Sequence, residues 1–288
     1  PLVAYSKAFN FVEVNSTFYQ IPSLKDVETW RKLVPSDFQF TVRCHRSLTH
    51  KLKLEPRHEA FETFETMKQI CNVLKAGILH LQTPLLLSKN QTLNNTLKNF
   101  LGSVDLGKLR LAVELRGASA SNLPTSLVET MQDHGIVHCV DLSKGEMPAY
   151  ESDVLYSRLF GKGYHNVYQP SDGELKEIDK KAMSKVFQKI ILSFHFVRMY
   201  KDAARLKIYK ETGKFPKVTK SSGLASLEEV LREDAKFPVS KEGLMESQGW
   251  KLFDLTEDKR VHASEYLQKL PERTYNNVKD VIDTLNSM

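Results

Sequence analysis

Seven segments between residues 11 and 196 alternate apolar and other residues, the two-residue period of a strand with one buried face. In 109–116, leucine and valine alternate with Arg110, Ala112, Glu114 and Arg116. Polar or charged residues gather toward the C-terminal ends, so the pattern predicts strands that present chemistry there. The other six predicted strands are 11–19, 38–45, 77–82, 135–141, 153–160 and 190–196.

Segments with helical spacing lie between these strands, over 27–33, 61–74, 93–101 and 127–133. Strands that alternate with helices predict right-handed βαβ units and a parallel sheet. Seven such strands are close to the eight of a TIM-type (β/α)8 barrel. We therefore predict an α/β barrel over residues 1–207.

The C-terminal strand ends of such a barrel surround its active site. We expect a catalytic set there that comprises Glu13, His45, His50, Glu114 and Asp141. We expect a substrate-binding set that comprises Asn15, Tyr19, Arg43, Arg46, Gln82, Arg116, Tyr156, Arg158, Gly161, Lys162 and Gly163. The alternative is a satisfied hydrogen-bond layer that only fills the barrel.

Arginine suits planar, bidentate recognition of phosphate or carboxylate, so Arg43, Arg116 and Arg158 are predicted to hold an anion. The alternative is an internal ion-pair network with the acidic residues. Glu114 is the predicted general acid or base, because low dielectric and neighbouring charge can move its pKa.

The loop 160–168 follows the Tyr156 and Arg158 strand, in a position where TIM barrels often bind phosphate through backbone N–H groups. Its Gly161, Lys162 and Gly163 suit such a role, and Tyr164 and Tyr168 could stack on a base or sugar. A solvated loop is the alternative interpretation. 

A divalent metal is another open interpretation, with His45 or His50 joined to Glu13, Glu114 and Asp141. Three nearby arginines disfavour a cation unless an anionic substrate lies between them. We assign no metal ligand and leave the cofactor open.

Several motifs resemble the YecE-like family, also known as domain of unknown function 72, across roughly residues 1–205. They are 12–19, 21–23, Trp30, 38–43, 48–50, 81–84, 113–116 and 156–161. The resemblance implies a TIM barrel without an established reaction. The family's opening Gly-Thr-Ser-Gly-Trp-like strand is absent, so we expect a missing N-terminal segment. At the last strand Phe194-His-Phe196 replaces the family's Phe-Asn-Asn, so no role is carried over to His195.

After residue 207 the strand–helix rhythm stops. We predict a polar linker over 208–223 and a small all-helical module over 224–288, with a capping box at Ser226 and Glu229 and amphipathic helices over 257–270 and 276–285. The motifs 237–244, 267–271 and 275–281 resemble domain of unknown function 2795. The module is predicted to dock a protein or nucleic acid.

The net charge of +6 is compatible with an anionic partner, nucleic acid included. Cys44, Cys71 and Cys139 lack metal-ligand spacing, which favours a reduced, cytoplasmic protein, and no stretch is long enough to predict a membrane partner. We weigh three functions: a hydrolase for a phosphate-containing substrate, with nucleic acid as one candidate; a non-catalytic nucleic-acid or nucleotide-binding protein with a partner-recruiting tail; and a metabolic enzyme for a sugar or carboxylate.

Overall fold

The structure is a computed structural model that describes residues 1–85, 92–163 and 166–288. The chain forms two compact units. The first contains residues 1–158 and 185–193, and the second contains residues 159–184 and 194–288.

The first unit contains the seven predicted strands, and the last residues of its sixth and seventh strands fall in the second unit. The strands are β1 (Phe11–Val14), β2 (Gln39–Arg43), β3 (Ile78–Gln82), β4 (Arg110–Glu114), β5 (Val137–Cys139), β6 (Val154–Leu159) and β7 (Lys189–Phe194). The helices are α1 (Leu2–Ala8), α2 (Leu24–Lys32), α3 (His58–Leu74), α4 (Thr92–Leu101) and α5 (Thr125–Asp133).

Strands β1 to β5 form a parallel sheet in chain order. A parallel bridge between Val140 and Ser157 continues the pairing from the end of β5 to β6, and β6 pairs with β7. The predicted mixed α/β fold with a parallel sheet is therefore confirmed.

The two faces of this sheet differ as the alternation predicts. One face is apolar along its length and packs with the helices, as in β4, where Leu111 and Val113 join a cluster that includes Phe64 and Ile70 of α3. The other face becomes polar toward the carboxyl ends of β3, β4 and β6. In β3 it runs from Ile78 through His80 to Gln82, in β4 from Ala112 to Glu114, and in β6 from Val154 through Tyr156 to Arg158. Consequently the buried polar side chains gather at the carboxyl ends of the strands.

Local signals fix the helix that follows β1. The Ser23 hydroxyl accepts a hydrogen bond from the Asp26 N–H at 3.2 Å, which caps the first turn of α2. At the other end of the next helix, Lys75 takes a left-handed conformation (φ 56°) that ends α3. The first boundary begins α2, and the second ends α3 shortly before β3 begins at Ile78.

The second unit combines helices with short antiparallel strands. Its helices are α6 (Asp172–Ala182), α7 (Met199–Thr212), α8 (Leu224–Asp234), α9 (Lys241–Gln248), α10 (Ser264–Leu267) and α11 (Val278–Asn286). Its strands are β8 (Val239–Ser240), β9 (Leu252–Asp254), β10 (Arg260–His262) and β11 (Thr274–Tyr275), which pair as β8–β11 and β9–β10.

The expectation of an all-helical C-terminal module is therefore wrong. Residues 257–270 were predicted as one helix, but they contain β10 and only one short helix. Val261 of β10 pairs with Phe253 of β9, and both side chains are buried, which favours a strand there. The predicted helix over 276–285 is confirmed, and its apolar stripe of Val278, Val281, Ile282 and Leu285 is buried.

The capping box predicted at Ser226 and Glu229 is also wrong, since α8 begins earlier, after Gly223. Ser226 lies inside the helix and accepts a hydrogen bond from the Asp254 N–H at 2.8 Å. Glu229 instead accepts from the N–H groups of Lys220 and Ser221, so Glu229 holds the segment before the helix and Ser226 binds β9.

Helix α7 continues to Thr212, inside the range predicted as a linker. The boundaries predicted for the barrel, linker and module stay predictions. Cys44, Cys71 and Cys139 are buried free thiols. Among the described residues, every helix is too short or too polar to cross a lipid bilayer.

Candidate functional site

Arg158 of β6 lies between two carboxylates and binds both. Its Nη1 donates to Glu114 Oε2 at 2.6 Å, while its Nε and Nη2 donate to Glu13 at 3.1–3.2 Å. The Arg158 side chain is only 2% exposed. Side chains from β1, β4 and β6 thus meet in one buried ion-pair group at the carboxyl ends of their strands.

Tyr156 extends this group toward β2. Its phenol donates to Glu13 Oε2 at 2.6 Å and lies 2.8 Å from the hydroxyl of Thr41. Burial, followed by the charge of Glu13, raises the pKa of Tyr156, so its phenol remains protonated. Tyr156 therefore positions Glu13 and is not available as a proton acceptor near neutral pH.

Gln82 and Arg43 continue the network on the other side. The Gln82 amide donates to Glu114 Oε1 at 2.6 Å and its carbonyl accepts from Arg43 Nη2. Arg43 Nη1 donates to Asn15 Oδ1 at 2.7 Å, and its guanidinium lies 3.6 Å from the centre of the Phe18 ring. Gln82 therefore links Arg43 to Glu114, Arg158 links Glu114 to Glu13, and the formal charges of the two arginines and two glutamates cancel.

The surroundings of Glu114 keep it ionised. Burial alone would raise its pKa, but contacts with His80 and the charge of Arg158 outweigh that effect, and the pKa lies well below the usual range. For Arg158, burial opposes ionisation, yet Glu13 and Glu114 raise its pKa. Glu114 is therefore held in its ionised form, and each of its oxygens accepts a hydrogen bond. Its assignment as the general acid or base stays a prediction.

The turn after β2 carries His45, Arg46 and His50. His45 Nδ1 pairs with the Ser47 hydroxyl at 2.7 Å, and His50 Nδ1 pairs with the Thr49 hydroxyl at 2.8 Å. The Arg46 side chain is exposed and forms no hydrogen bond or ion pair within the described ranges. This turn therefore supplies a cation that is available to a ligand.

The pKa of His50 reflects the positive charge around it. Its burial lowers its pKa, and the charges of Arg43, Arg116 and Arg46 lower it further. Because Arg46 and Arg116 are both exposed, the positive potential around His50 faces solvent. The ring of Phe18 packs edge-on against His50, with 5.3 Å between ring centres.

Tyr19 adds an aromatic surface beside this charge. Its side chain is 63% exposed and packs edge-on against Phe18, with ring centres 5.0 Å apart. Phe18 in turn contacts Arg43 and His50. A cationic and aromatic patch, made of Tyr19, Arg46, His50 and Arg116, therefore lies at the ends of β1, β2 and β4; we call it the cationic mouth.

Asp141 occupies a separate position. It is buried, and its Oδ1 accepts from both the N–H and the hydroxyl of Ser143, which fixes the turn after β5. Lys144 lies 3.8 Å away. Asp141 therefore has a capping role in its own turn.

The Gly161–Gly163 loop lies in the second unit. Lys162 forms an ion pair with Glu174 at 3.0 Å, and Tyr168 donates to the same carboxylate. Side-chain atoms at Gly161 or Gly163 would collide with Phe196 or the Val167 carbonyl, respectively, which accounts for the glycines by packing. The predicted phosphate loop therefore has a structural explanation; Tyr164 lies outside the described residues.

The predicted metal arrangement of His45 or His50 with Glu13, Glu114 and Asp141 does not form among the described residues. The described residues contain one trio of histidine, cysteine and acidic donors that lie close together, and it is not this predicted set. The prediction also missed His80 and Thr41 as members of the polar interior. Both share the strand parity of predicted site residues, Gln82 and Arg43, and that parity was a usable signal.

This fold and site define an α/β protein with a parallel sheet, a buried ion-pair interior and an open cationic mouth. The chain belongs to the family described as "Protein of unknown function DUF72", whose model matches residues 1–209. This match confirms the resemblance predicted from the strand motifs. It does not extend over the C-terminal residues, so the resemblance to domain of unknown function 2795 stays a prediction.

Known proteins agree with that membership. UPF0759 protein YunF of Bacillus subtilis (strain 168) is 32% identical over 68 residues, which span 22% of this chain and 24% of the relative. A DUF72 family protein from Enterococcus faecalis V583 has a TM-score of 0.56 at 18% identity over 74% of this chain and 93% of its own. A DUF72 family protein from Thermotoga maritima MSB8 has a TM-score of 0.57 at 23% identity over 70% of this chain and 85% of its own. The two structures support the fold alone.

Proposed function

We propose that the cationic mouth binds a phosphate-containing ligand, a nucleotide or a single-stranded nucleic acid. The observation that carries the proposal is the charge around His50, whose pKa is lowered by burial and by Arg43, Arg116 and Arg46. Arg43 is committed to Asn15 and Gln82. Arg46 and Arg116 are exposed, so an anion in solvent can reach both side chains.

The exposed ring of Tyr19 favours a ligand with a base over inorganic phosphate. A base can stack on an exposed aromatic ring while its phosphates pair with arginine, which is a common mode of single-strand binding. Phe18 packs edge-on against Tyr19, so the Tyr19 ring has a fixed neighbour.

Fluorescence anisotropy with a labelled single-stranded oligonucleotide tests the proposal. Two phosphate contacts predict that the logarithm of affinity falls with the logarithm of salt concentration by a slope of about 1.4. Arg46→Ala with Arg116→Ala should weaken binding and remove most of that slope. Lys32→Ala with Lys98→Ala, exposed on α2 and α4, is the charge-matched control.

Unchanged affinity in the double arginine variant would overturn the proposal. Binding with a flat salt response would instead favour a small sugar or carboxylate ligand.

Hydrolysis of a phosphate ester at the same mouth is a second candidate function. It is supported by His50, because a histidine with a lowered pKa is neutral at pH 7 and can accept a proton from an attacking water. Within this proposal His45 assists His50, and Asp141 keeps its predicted place in the catalytic set. His50→Gln should abolish cleavage of an oligonucleotide and weaken its binding much less than the double arginine variant does. Full cleavage by His50→Gln would exclude this role.

We further infer that β1 to β7 are seven strands of a (β/α)8 barrel. The support is the meeting of side chains from distant strands, such as Thr41 of β2 with Tyr156 of β6 and Glu13 of β1 with Arg158 of β6. An eighth strand would pair with β1 and β7. A crystal structure with one strand bonded to both would confirm the closed barrel, and two unpaired edges would refute it.

For residues 224–288 we propose the docking role predicted from their sequence. Lys269 and Lys279 are exposed on this part of the chain and would contact a nucleic-acid partner. Replacing both with glutamate should then weaken oligonucleotide binding beyond the effect of the mouth variants. If binding is unchanged, a protein partner becomes the remaining candidate.

A further inference from the structure

His80, in the middle of β3, is a buried histidine without a satisfied ring. Its side chain is 0% exposed, and neither ring nitrogen forms a hydrogen bond within the described part of the chain. Nε2 lies 3.3 Å from Glu114 Oε2, outside hydrogen-bond geometry. Buried polar atoms are nearly always paired, and an unpaired one destabilises the folded state. The position of His80 therefore points to a missing partner.

Two further donors face the same place. Glu114 lies on β4 and Cys139 on β5, where the two residues are register partners. One ligand atom from each of His80, Glu114 and Cys139 lies within 4.8 Å of the other two. The three residues come from consecutive parallel strands, so the sheet itself holds their backbones at a fixed spacing.

We propose that His80, Glu114 and Cys139 form a binding site for a divalent transition metal of the zinc class. Imidazole nitrogen, thiolate sulfur and carboxylate oxygen are the ligand types that zinc takes, and three protein ligands leave a fourth position for water or a small ligand. Metal bonds of about 2.0–2.3 Å place tetrahedral ligand atoms about 3.5 Å apart. The three ligand atoms therefore have to move about 1 Å closer to one another, which rotation of the side chains would achieve.

Arg158 is compatible with such an ion. It donates to Glu114 Oε2 at 2.6 Å, and a carboxylate oxygen can accept this bond while a second lone pair binds metal. Hydrogen bonds of this kind orient metal ligands in many sites. The nearby carboxylate of Glu13 and the thiolate of Cys139 offset the added positive charge.

The site differs from the cationic mouth and does not depend on ligand binding there. Burial raises the pKa of the Cys139 thiol well above its usual range, so the thiol must lose a proton as metal binds. Affinity is consequently expected to increase with pH, as it does for metal sites that contain a thiol ligand.

Titration of the chelator-treated, full-length protein with Co²⁺ tests the site. One equivalent should produce visible d–d bands of a four-coordinate ion together with a sulfur-to-cobalt charge-transfer band. Cys139→Ser should remove the charge-transfer band, and His80→Leu should weaken Co²⁺ binding by about a hundredfold or more. Cys71→Ser, which alters a buried thiol outside the trio, should leave the spectrum unchanged.

Thermal unfolding with Zn²⁺ gives a readout that does not use sulfur spectroscopy. Zn²⁺ should raise the Tm of the wild-type protein and of Cys71→Ser, and should leave His80→Leu unaffected. The proposal is overturned if the wild-type protein develops no charge-transfer band with Co²⁺, or if that band survives in Cys139→Ser. The wild-type titration decides this even where a variant fails to fold.

Discussion

Arg158 Nη1 lies 2.6 Å from Glu114 Oε2, in a contact between two side chains that are 2% and 14% exposed. This pair fixes the ionisation of both groups and ties β6 to β4. The pair stabilises the fold because both side chains are buried. A charge that loses its partner inside the protein cannot be hydrated again.

Glu114→Gln should therefore destabilise the protein by about 3 kcal/mol, as expected when one member of a buried pair is neutralised. The amide keeps the shape and one oxygen but leaves Arg158 with Glu13 as its only carboxylate. Urea unfolding followed by circular dichroism measures the loss. Glu151→Gln is the control, since Glu151 and its partner Lys185 are both exposed, and its midpoint should barely move. Equal midpoints for the two variants would contradict the structural role of the pair.

His138 should make the protein sensitive to acid. It is 5% exposed on β5, its Nδ1 accepts a hydrogen bond from the Ala149 N–H at 3.1 Å, and burial lowers its pKa to about 4 from 6.5. Below pH 6.5 the unfolded chain binds a proton that the folded chain resists. Stability is therefore complete above about pH 6.5 and is lost as the pH falls toward 4, by up to about 3 kcal/mol.

His138→Asn retains an acceptor oxygen but cannot titrate in this range. Its free energy of unfolding should depend less steeply on pH between 6.5 and 4 than that of the wild-type protein. His58→Asn replaces an exposed histidine and should preserve the wild-type slope. A wild-type slope in His138→Asn would show that the acid sensitivity arises elsewhere, with His80 as the next candidate because burial lowers its pKa as well.

Tyr19 distinguishes base stacking from phosphate binding. Tyr19→Ala should weaken binding of a single-stranded oligonucleotide by about 1–3 kcal/mol, whereas Tyr19→Phe should retain it, since stacking needs the ring and not the hydroxyl. Binding of inorganic tripolyphosphate, which has no base, should be the same in both variants. A parallel loss of tripolyphosphate binding in Tyr19→Ala would argue that the substitution disturbs the arginines instead.

Asp254 organises the segment before α8. It is 0% exposed and accepts hydrogen bonds from the N–H of Val218 at 3.0 Å and from the N–H and hydroxyl of Thr219 at 2.7 Å each. Asp254→Ala should destabilise the second unit by about 3 kcal/mol and expose Lys217 and Lys220 to trypsin. Limited proteolysis measures this. Asp258→Ala removes an exposed carboxylate nearby and should leave the cleavage pattern unchanged.

The strands could be predicted because alternation is local and visible along the chain. The same parity that identified Gln82 and Glu114 as inward residues places them within 2.6 Å of each other. The sequence did not indicate which arginines are buried in the network and which are exposed to solvent. Arg43 is enclosed by Asn15, Gln82 and Phe18, whereas Arg46 is exposed three residues later, and that difference depends on contacts far apart in the sequence.

The C-terminal unit was harder to predict for a different reason. Its strands contain only two or three residues, too few to establish a period, so β10 could not be separated from a helical pattern. Ser226 and Glu229 have the spacing of a capping box, yet their partners lie at Asp254 and at Lys220 and Ser221. Hydrogen bonds to residues outside the helix therefore determine the positions of these two side chains, and the local capping pattern does not.

The cancelling charges of the interior have a consequence for how this family could diversify. Since Glu13, Glu114, Arg43 and Arg158 satisfy one another, their replacement is constrained by stability. Tyr19, Arg46 and Arg116 lie on turns at the surface and are exposed. Substitutions at these three positions, natural or engineered, could therefore change the ligand preference while the buried ion-pair group stays the same.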